Sequence, residues 1–353
     1  MSRRSRTTRV DALSGDGLDG RYRALWISAL VLAVALTAAL WVSSALVTSQ
    51  ALAAGTPSSR LVWIPRDGHR IAAYVQAGRA PAIVLSHGFP DNHHLYDPVL
   101  HDLKGHEVVA FDFLGWGRSS KPANYSYTFA NQEQDLNAVI QGLHLGRVVL
   151  VAHDASVPAV LNWALDHPGQ AISIVLSNGF YAPVAGSGPP ALAAIFALGQ
   201  WPNTASLGPL PPGTAFGFNS LMNGLAGDRR LLGDFITWQE STFDGAAARR
   251  FDSLFTHQFL AKPSTLGPLR SLGGNLFSAV TNDAKRVPSL ATLGVPVQIV
   301  WGALDPNLNL SVAQALHQEI PGSTLTVFPS AHHNLMLDDP GQFAAIVRSA
   351  ASK

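Results

Sequence analysis

The chain has no cysteine among its 353 residues. That absence excludes disulfides, thiol catalysis and thiolate metal centres, while leaving the compartment open. Charge is also scarce: Asp, Glu, Lys and Arg together make up 13% of the residues, and the formal net charge is +1. The basic residues are not gathered in the globular part, so nothing there forms an electrostatic footprint for nucleic acid, and none is expected as a partner. Charge is missing altogether from Ala24 to Ser59. No internal repeat or low-complexity run is evident, which sets aside solenoids and arrays.

What is present begins with that uncharged stretch. Ala24 to Val47 is almost wholly apolar, and at about 1.5 Å per residue a helix of this length crosses roughly 30 Å of hydrocarbon. Trp26 and Trp41 lie near its ends, where indole rings favour the interface. Arg3, Arg4, Arg6, Arg9, Arg21 and Arg23 precede it, an asymmetry that keeps the N-terminus cytoplasmic and sends the remainder outward. The expectation is a basic N-terminus over 1–23, a transmembrane anchor over 24–48 and a tether over 49–59 with Gly55 and Pro57. The alternative is a cleaved signal ending near Ala53, where Ala51-Leu52-Ala53 has the small-residue pattern of a cleavage site, although signal cores usually run about 7 to 15 residues.

With 47% hydrophobic residues, the chain can bury a full core and has room for an inserted subdomain. Leu61–Ile64 and Ile71–Val75 flank Asp67-Gly68, a hairpin signal. Apolar runs at 82–85, 107–111, 148–151, 172–176, 297–301 and 324–327 then alternate with helical stretches. Such alternation predicts an α/β fold with a mostly parallel sheet covered on both faces. The core is expected over 60–182 and 287–353. Between Tyr181 and about Val287 the pattern breaks into Gly, Pro and Ala before a helical stretch from Arg229 to Leu260, which predicts a cap over 183–286. Its many aromatic residues argue collectively for a small apolar substrate.

Val148 to Ser156 is the stretch richest in chemistry. An apolar strand ends in a tight turn with Asp154 at its tip, and a strained strand-to-helix turn needs small residues two before and two after the tip. Ala152 and Ser156 meet that need around Asp154. Around Ser156 the same positions would be Asp154 and Pro158, so the carboxylate is the better nucleophile candidate. Three further segments follow the order such chemistry requires: Ser86-His87-Gly88-Phe89-Pro90 after one strand, Gly302-Ala303-Leu304-Asp305 after another, and Ala331-His332-His333-Asn334 before Asp339-Pro340.

Together these motifs resemble the α/β-hydrolase family, over roughly residues 60 to 350 apart from the middle. Aspartate at the elbow narrows the resemblance to the epoxide hydrolase and haloalkane dehalogenase branch. The resemblance implies Asp154 as nucleophile, Asp305 as the acid and His333 as the histidine, with family spacing favouring His333 over His332. It implies that the N–H groups of Phe89 and Ala155 face the reacting oxygen, and that His87 and His153 brace the loops. It further implies an alkyl-enzyme ester cleaved by water that a His–Asp pair activates, with no cofactor; separately, no carboxylate or third histidine stands at a helical ligand spacing from His93 and His94, so no metal is expected. The HGFP phrase favours epoxides over halides. A haloalkane dehalogenase or other α/β-hydrolase, and a non-catalytic membrane-tethered binding protein, are the alternatives.

The family pattern is also departed from. Epoxide hydrolases hold and protonate the epoxide oxygen with two cap tyrosines, yet 183–286 contains none. Phe277 stands where one hydroxyl would be, and Tyr181 at the entry to the cap is the nearby candidate for orienting the oxygen. The halide donors of dehalogenases are replaced by Phe89 and Ala155. His93 and His94 read as solvated loop histidines, and Asp112 to Ser119 as a turn shaped by its glycines.

Overall fold

A computed structural model describes residues 59–184, 263–305 and 307–352, with five single positions between 227 and 250. The expected anchor 24–48, its tether up to Ser58 and most of the expected cap, including most of the helical stretch 229–260, lie outside the described residues, as does the Phe277 side chain. Among the described residues no helix is long and apolar enough to cross a membrane.

Eight strands form one sheet in the order β1-β2-β4-β3-β5-β6-β7-β8. They are β1 (Arg60–Arg66), β2 (His69–Gln76), β3 (Arg79–Ser86), β4 (His106–Asp112), β5 (Val148–His153), β6 (Ala171–Ser177), β7 (Val297–Gly302) and β8 (Thr324–Phe328). Each expected apolar run lies within one of them. β1 and β2 pair antiparallel around the turn at Asp67 and Gly68, both at positive φ, as a tight hairpin loop requires. β2 also runs antiparallel to β4, and every remaining pair is parallel.

The central strands are buried on both faces, which is why they read as continuous apolar runs. Alternate residues serve two cores. Leu150 and Ala152 pack with α1 (Phe129–Gly142) and α2 (Val157–Asp166), while Val149 and Val151 pack with residues 95–103 and the C-terminal helix Pro340–Ala351. Helix starts follow side-chain chemistry: Thr128 accepts from Asn131 N–H to cap α1, and Asp339 accepts from Gln342 N–H ahead of Pro340.

From β3 the chain moves outward to β4 and then returns to the other side of β3 as β5. The order therefore reverses between β3 and β5, and the crevice outside their carboxyl ends is where such sheets place a site.

Candidate active site

Asp154 is the first residue beyond β5 and has φ +49°, a left-handed conformation uncommon for a residue with a side chain. The surrounding structure must hold that conformation, because it costs energy on its own. Ser156 does much of this work: its hydroxyl accepts from His153 N–H at 3.0 Å and lies 2.9 Å from Ser86 O and 2.8 Å from His153 O. That hydroxyl is therefore committed to backbone groups of β3 and the elbow, and Asp154 alone is turned to the site. α2 begins directly after it, with Pro158 in its first turn, where a missing N–H costs nothing.

Across the switch point, Phe89 N–H donates to Asp154 Oδ2 at 3.0 Å, and Ala155 N–H also bonds the carboxylate. Oδ1 faces His333 Nε2 at 3.7 Å. The other ring nitrogen of His333, Nδ1, is 2.9 Å from Asp305 Oδ2. The carboxylate of Asp305 is itself fixed by Asn178 Nδ2 at 2.6 Å and by the N–H groups of Asn307 and Leu308 at 2.7 and 3.0 Å. Residues from the ends of β3, β5 and β7 and the loop after β8 thus converge, although more than 150 residues of chain separate Asp154 from the histidine loop.

Electrostatics follow from burial. Asp154, Asp305 and His333 are 8%, 7% and 9% exposed. Burial pushes Asp154 above the ordinary carboxylate range, against which His333 and the Phe89 and Ala155 N–H groups favour the anion. Burial works against a charged His333 as well, but Asp305, then Asp154 and Asp91, raise its imidazole to about 9.

His332 does not compete for this place. Its N–H donates to Asp338 Oδ2 at 2.7 Å and its Nδ1 lies 3.4 Å from the same oxygen. The loop is held by backbone as well: Leu304 N–H donates to Ala331 O at 2.9 Å, and a Cβ at Gly302 would come within 1.9 Å of His332 O. Only glycine allows the acid turn and the histidine loop to approach so closely.

His87 and His153 brace the loops. His87 Nε2 accepts from Phe113 N–H at 3.1 Å while Nδ1 donates to Gly88 O at 2.7 Å, and burial pulls the ring down to about 4, so it is neutral at pH 7. His153 lies 3.1 Å from Ser177 O through Nδ1 and 2.8 Å from the Asn334 amide through Nε2. The Asn334 atom that Nε2 meets is Oδ1, and burial lowers the His153 imidazole.

Two expectations are corrected. Tyr181 is fully buried and its hydroxyl donates to Asn162 Oδ1 at 2.8 Å, within a polar group that continues to Asp283; it is not among the groups bonded to Asp154. His93 is not a solvated histidine: it is 7% exposed, bonds Asp112 Oδ1 at 2.8 Å and stacks on Tyr74. The turn after β4 is shaped by its glycines as expected: Gly115 and Gly117 have φ +96° and +46°, and a Cβ at Gly117 would lie 2.2 Å from the Asp112 carboxyl carbon, which leaves Asp112 free to accept from Arg118 N–H. His94 is exposed and pairs with Asp97.

Two residues of the site were not singled out from the sequence. Asn178, at φ +38°, bridges Asp305 and Gly302 N–H. Asp91 is a carboxyl group 4% exposed near Asp154 and His333, pushed up to about 7 by burial and then by Asp154. Position gives the only sequence signal for either: Asn178 directly follows a strand, and Asp91 directly follows HGFP.

The comparisons with known proteins agree with this architecture. The sequence profile described as alpha/beta hydrolase fold matches residues 81–340. An uncharacterized protein of Mycobacterium tuberculosis is 29% identical over 79% of this chain and 77% of its own length. Haloalkane dehalogenase 2 of the same organism is 25% identical over 81% of this chain and 92% of its own. Among solved structures, an esterase from Exiguobacterium antarcticum superposes with a TM-score of 0.63 at 20% identity, over 83% of this chain and 99% of that one; that likeness carries the fold alone.

Proposed function

The chain belongs to the α/β-hydrolase family and is a hydrolase enzyme; from that premise we propose that it acts through an ester on Asp154, opening small apolar epoxides. The observation that supports this best is the orientation of the Asp154 carboxylate, with Oδ2 held by the Phe89 N–H at 3.0 Å and Oδ1 toward His333. A carboxylate is ionised at neutral pH and needs no base to attack carbon. Oδ1 forms the bond to the substrate carbon as the carbon–oxygen bond of the ring breaks, and Oδ2 becomes the ester carbonyl. The opened ring oxygen takes up a proton, and loss of the Asp154 charge lets His333 release the proton it holds at rest to solvent. Water then gives a proton to His333 Nε2 as its oxygen attacks the carbonyl carbon. The charge that develops on Oδ2 falls on the Phe89 and Ala155 N–H groups, which are already in position. Collapse releases the diol and restores the carboxylate.

A second reading is supported by the likeness to haloalkane dehalogenase 2: the same ester formed by displacement of halide. HGFP, with Phe89 in place of a polar halide donor, favours the epoxide. The test is intact-protein mass spectrometry with released halide assayed separately. In His333→Gln an alkyl-enzyme accumulates, and in Asp154→Asn none forms. Halide released faster than diol by the wild type would select the second reading, and wild-type turnover by Asp154→Ala would remove Asp154 from the mechanism.

A further inference from the structure

We infer that Trp63, with Arg70 and Arg118, forms a docking surface for anionic lipid headgroups, an inference that draws on the expected anchor and is independent of the ester at Asp154. β1 is an edge strand. Val62 and Ile64 pack into a core, so Trp63 between them turns to the other face, where it stays 37% exposed. A large apolar side chain on a sheet edge is a liability that proteins ordinarily cover or replace with charge. Here the indole is kept and two cations stand over it. The guanidinium carbons of Arg70 and Arg118 lie 4.8 and 5.8 Å from its ring centroid, and both arginines are exposed.

The cluster is held by backbone. Arg70 N–H donates to Ser120 Oγ at 3.0 Å, Ser120 N–H donates to Arg70 O at 3.0 Å, and Arg118 N–H donates to Asp112 Oδ2 at 2.8 Å. Among the described residues no carboxylate forms an ion pair with either arginine side chain. The nearby acids are engaged: Asp112 is buried and shared with His93, and Asp67 pairs with Arg66. An exposed indole beside cations that no acid neutralises matches a bilayer interface, where the ring favours the headgroup level and guanidinium groups bind phosphate.

Arginines over an exposed indole would also serve merely to cover it, and position decides in favour of lipid. The uncharged run 24–48 ends eleven residues before Arg60, and a flexible tether of that length spans roughly 20 Å. Trp63 lies three residues further on, about 10 Å along the strand. An anchored chain therefore keeps this edge close to the bilayer. The register pairs Trp63 with Ala72, and Ala72 with Asp112 at the carboxyl end of β4. The patch is thus at the end of the sheet that carries the site. The turn that begins at Asp112 presents Arg118 to Trp63 and Trp116 to Phe89, with the Trp116 and Phe89 ring centroids 5.6 Å apart. Phe89 N–H in turn holds Asp154. One short turn joins the outer patch to the catalytic crevice, so docking sets that crevice beside the bilayer, where apolar substrates concentrate.

The absence of cysteine lets a single introduced thiol report one place. Full-length protein with Pro65→Cys, an exposed position two residues from Trp63 on the same strand face, is labelled with the fluorophore NBD. It is reconstituted in vesicles of phosphatidylcholine alone or of an equal mixture with phosphatidylglycerol. Both hold the same small fraction of phosphatidylcholine with a nitroxide on its headgroup, which quenches only on contact. Gln314→Cys, exposed on the helix Leu310–Glu319, is the control. The Pro65→Cys probe is expected to be quenched in mixed vesicles, and to be released in neutral vesicles or at high salt, while the control stays bright throughout. Arg70→Gln combined with Arg118→Gln should lower the ratio of docked to free protein by about tenfold or more, and Trp63→Ser should lower it as well. The lipid and salt series keeps the test in force if the double variant does not fold. Equal quenching in both vesicles, quenching that ignores salt or survives the double substitution, or none in either, overturns the inference. Flotation with neutral vesicles reports the anchor separately. Protein that floats with mixed vesicles alone and is released by salt would remove the anchor and keep the docking surface; protein that floats with neither would remove both.

Discussion

His333 meets opposite demands in the two halves of the proposed cycle. In the resting protein, buried beside Asp305, Asp154 and Asp91, its imidazole is raised to about 9 and carries a proton at pH 7. Esterification removes the charge of Asp154, one of the groups that raise it, and the ring becomes a better base when water must be activated. Asp154→Asn removes the same charge, so imidazole NMR should find His333 titrating lower in that variant than in the wild type; an unmoved titration would mean that Asp154 does not hold the proton there. Tyr181 gives the contrasting case. Its hydroxyl bonds Asn162 and no group of the triad, so Tyr181→Phe is expected to lower stability by about 1 kcal/mol and to leave epoxide turnover per folded molecule unchanged. A large loss of turnover with unchanged stability would return Tyr181 to the site.

At the scale of elements, the site depends on loops being tied to one another. Asp112 ends β4 with no exposure and gathers the two loops beside it: His93 N–H donates to Oδ1 at 2.9 Å, His93 Nδ1 lies 2.8 Å from the same oxygen, and Arg118 N–H donates to Oδ2 at 2.8 Å. Burial alone would raise this carboxyl, but His93 and His87 hold it below the usual carboxylate range. A depressed folded pKa means that the contribution is present above the unfolded carboxylate pKa and is lost as pH falls through the folded value. Asp112→Ala leaves these donors buried and unpaired, and breaking a buried pair in this way costs about 3–5 kcal/mol. Urea unfolding should show a lower midpoint with an unchanged slope in Asp112→Ala, and the difference from wild type should shrink in acid. A difference independent of pH would show that packing, and not the ionised carboxylate, carries the effect.

At the scale of the whole molecule, one sheet with a core on each face supports the site. The uncharged run 24–48 was read only from sequence, and we propose that it anchors the protein with its hydrolase domain outside the cytoplasm. If so, the full-length protein remains with membranes after a high-salt wash, since roughly 24 apolar residues in hydrocarbon are not displaced by screening charge. Recovery of a soluble form beginning near Ala54 would point to a cleaved signal.

The strands were legible because period and length are local properties: all eight apolar runs became strands, and Asp67-Gly68 became the hairpin turn. The elbow was legible for a similar reason, since the small residues that Asp154 needs are its own near neighbours. Family spacing favoured His333 over His332, and the folded chain pairs His333 with Asp305 and His332 with Asp338. Tyr181 was misplaced because nearness to the cap in sequence says nothing of where a hydroxyl bonds once α2 brings Asn162 to it. Asn178 and Asp91 were missed because a carboxyl or amide acquires its role from what surrounds it. Desolvation and the charges of neighbours drawn from four separate strand ends exist only after the chain has folded, so Asp91 is an ordinary turn aspartate in one dimension and an acid of raised pKa in three.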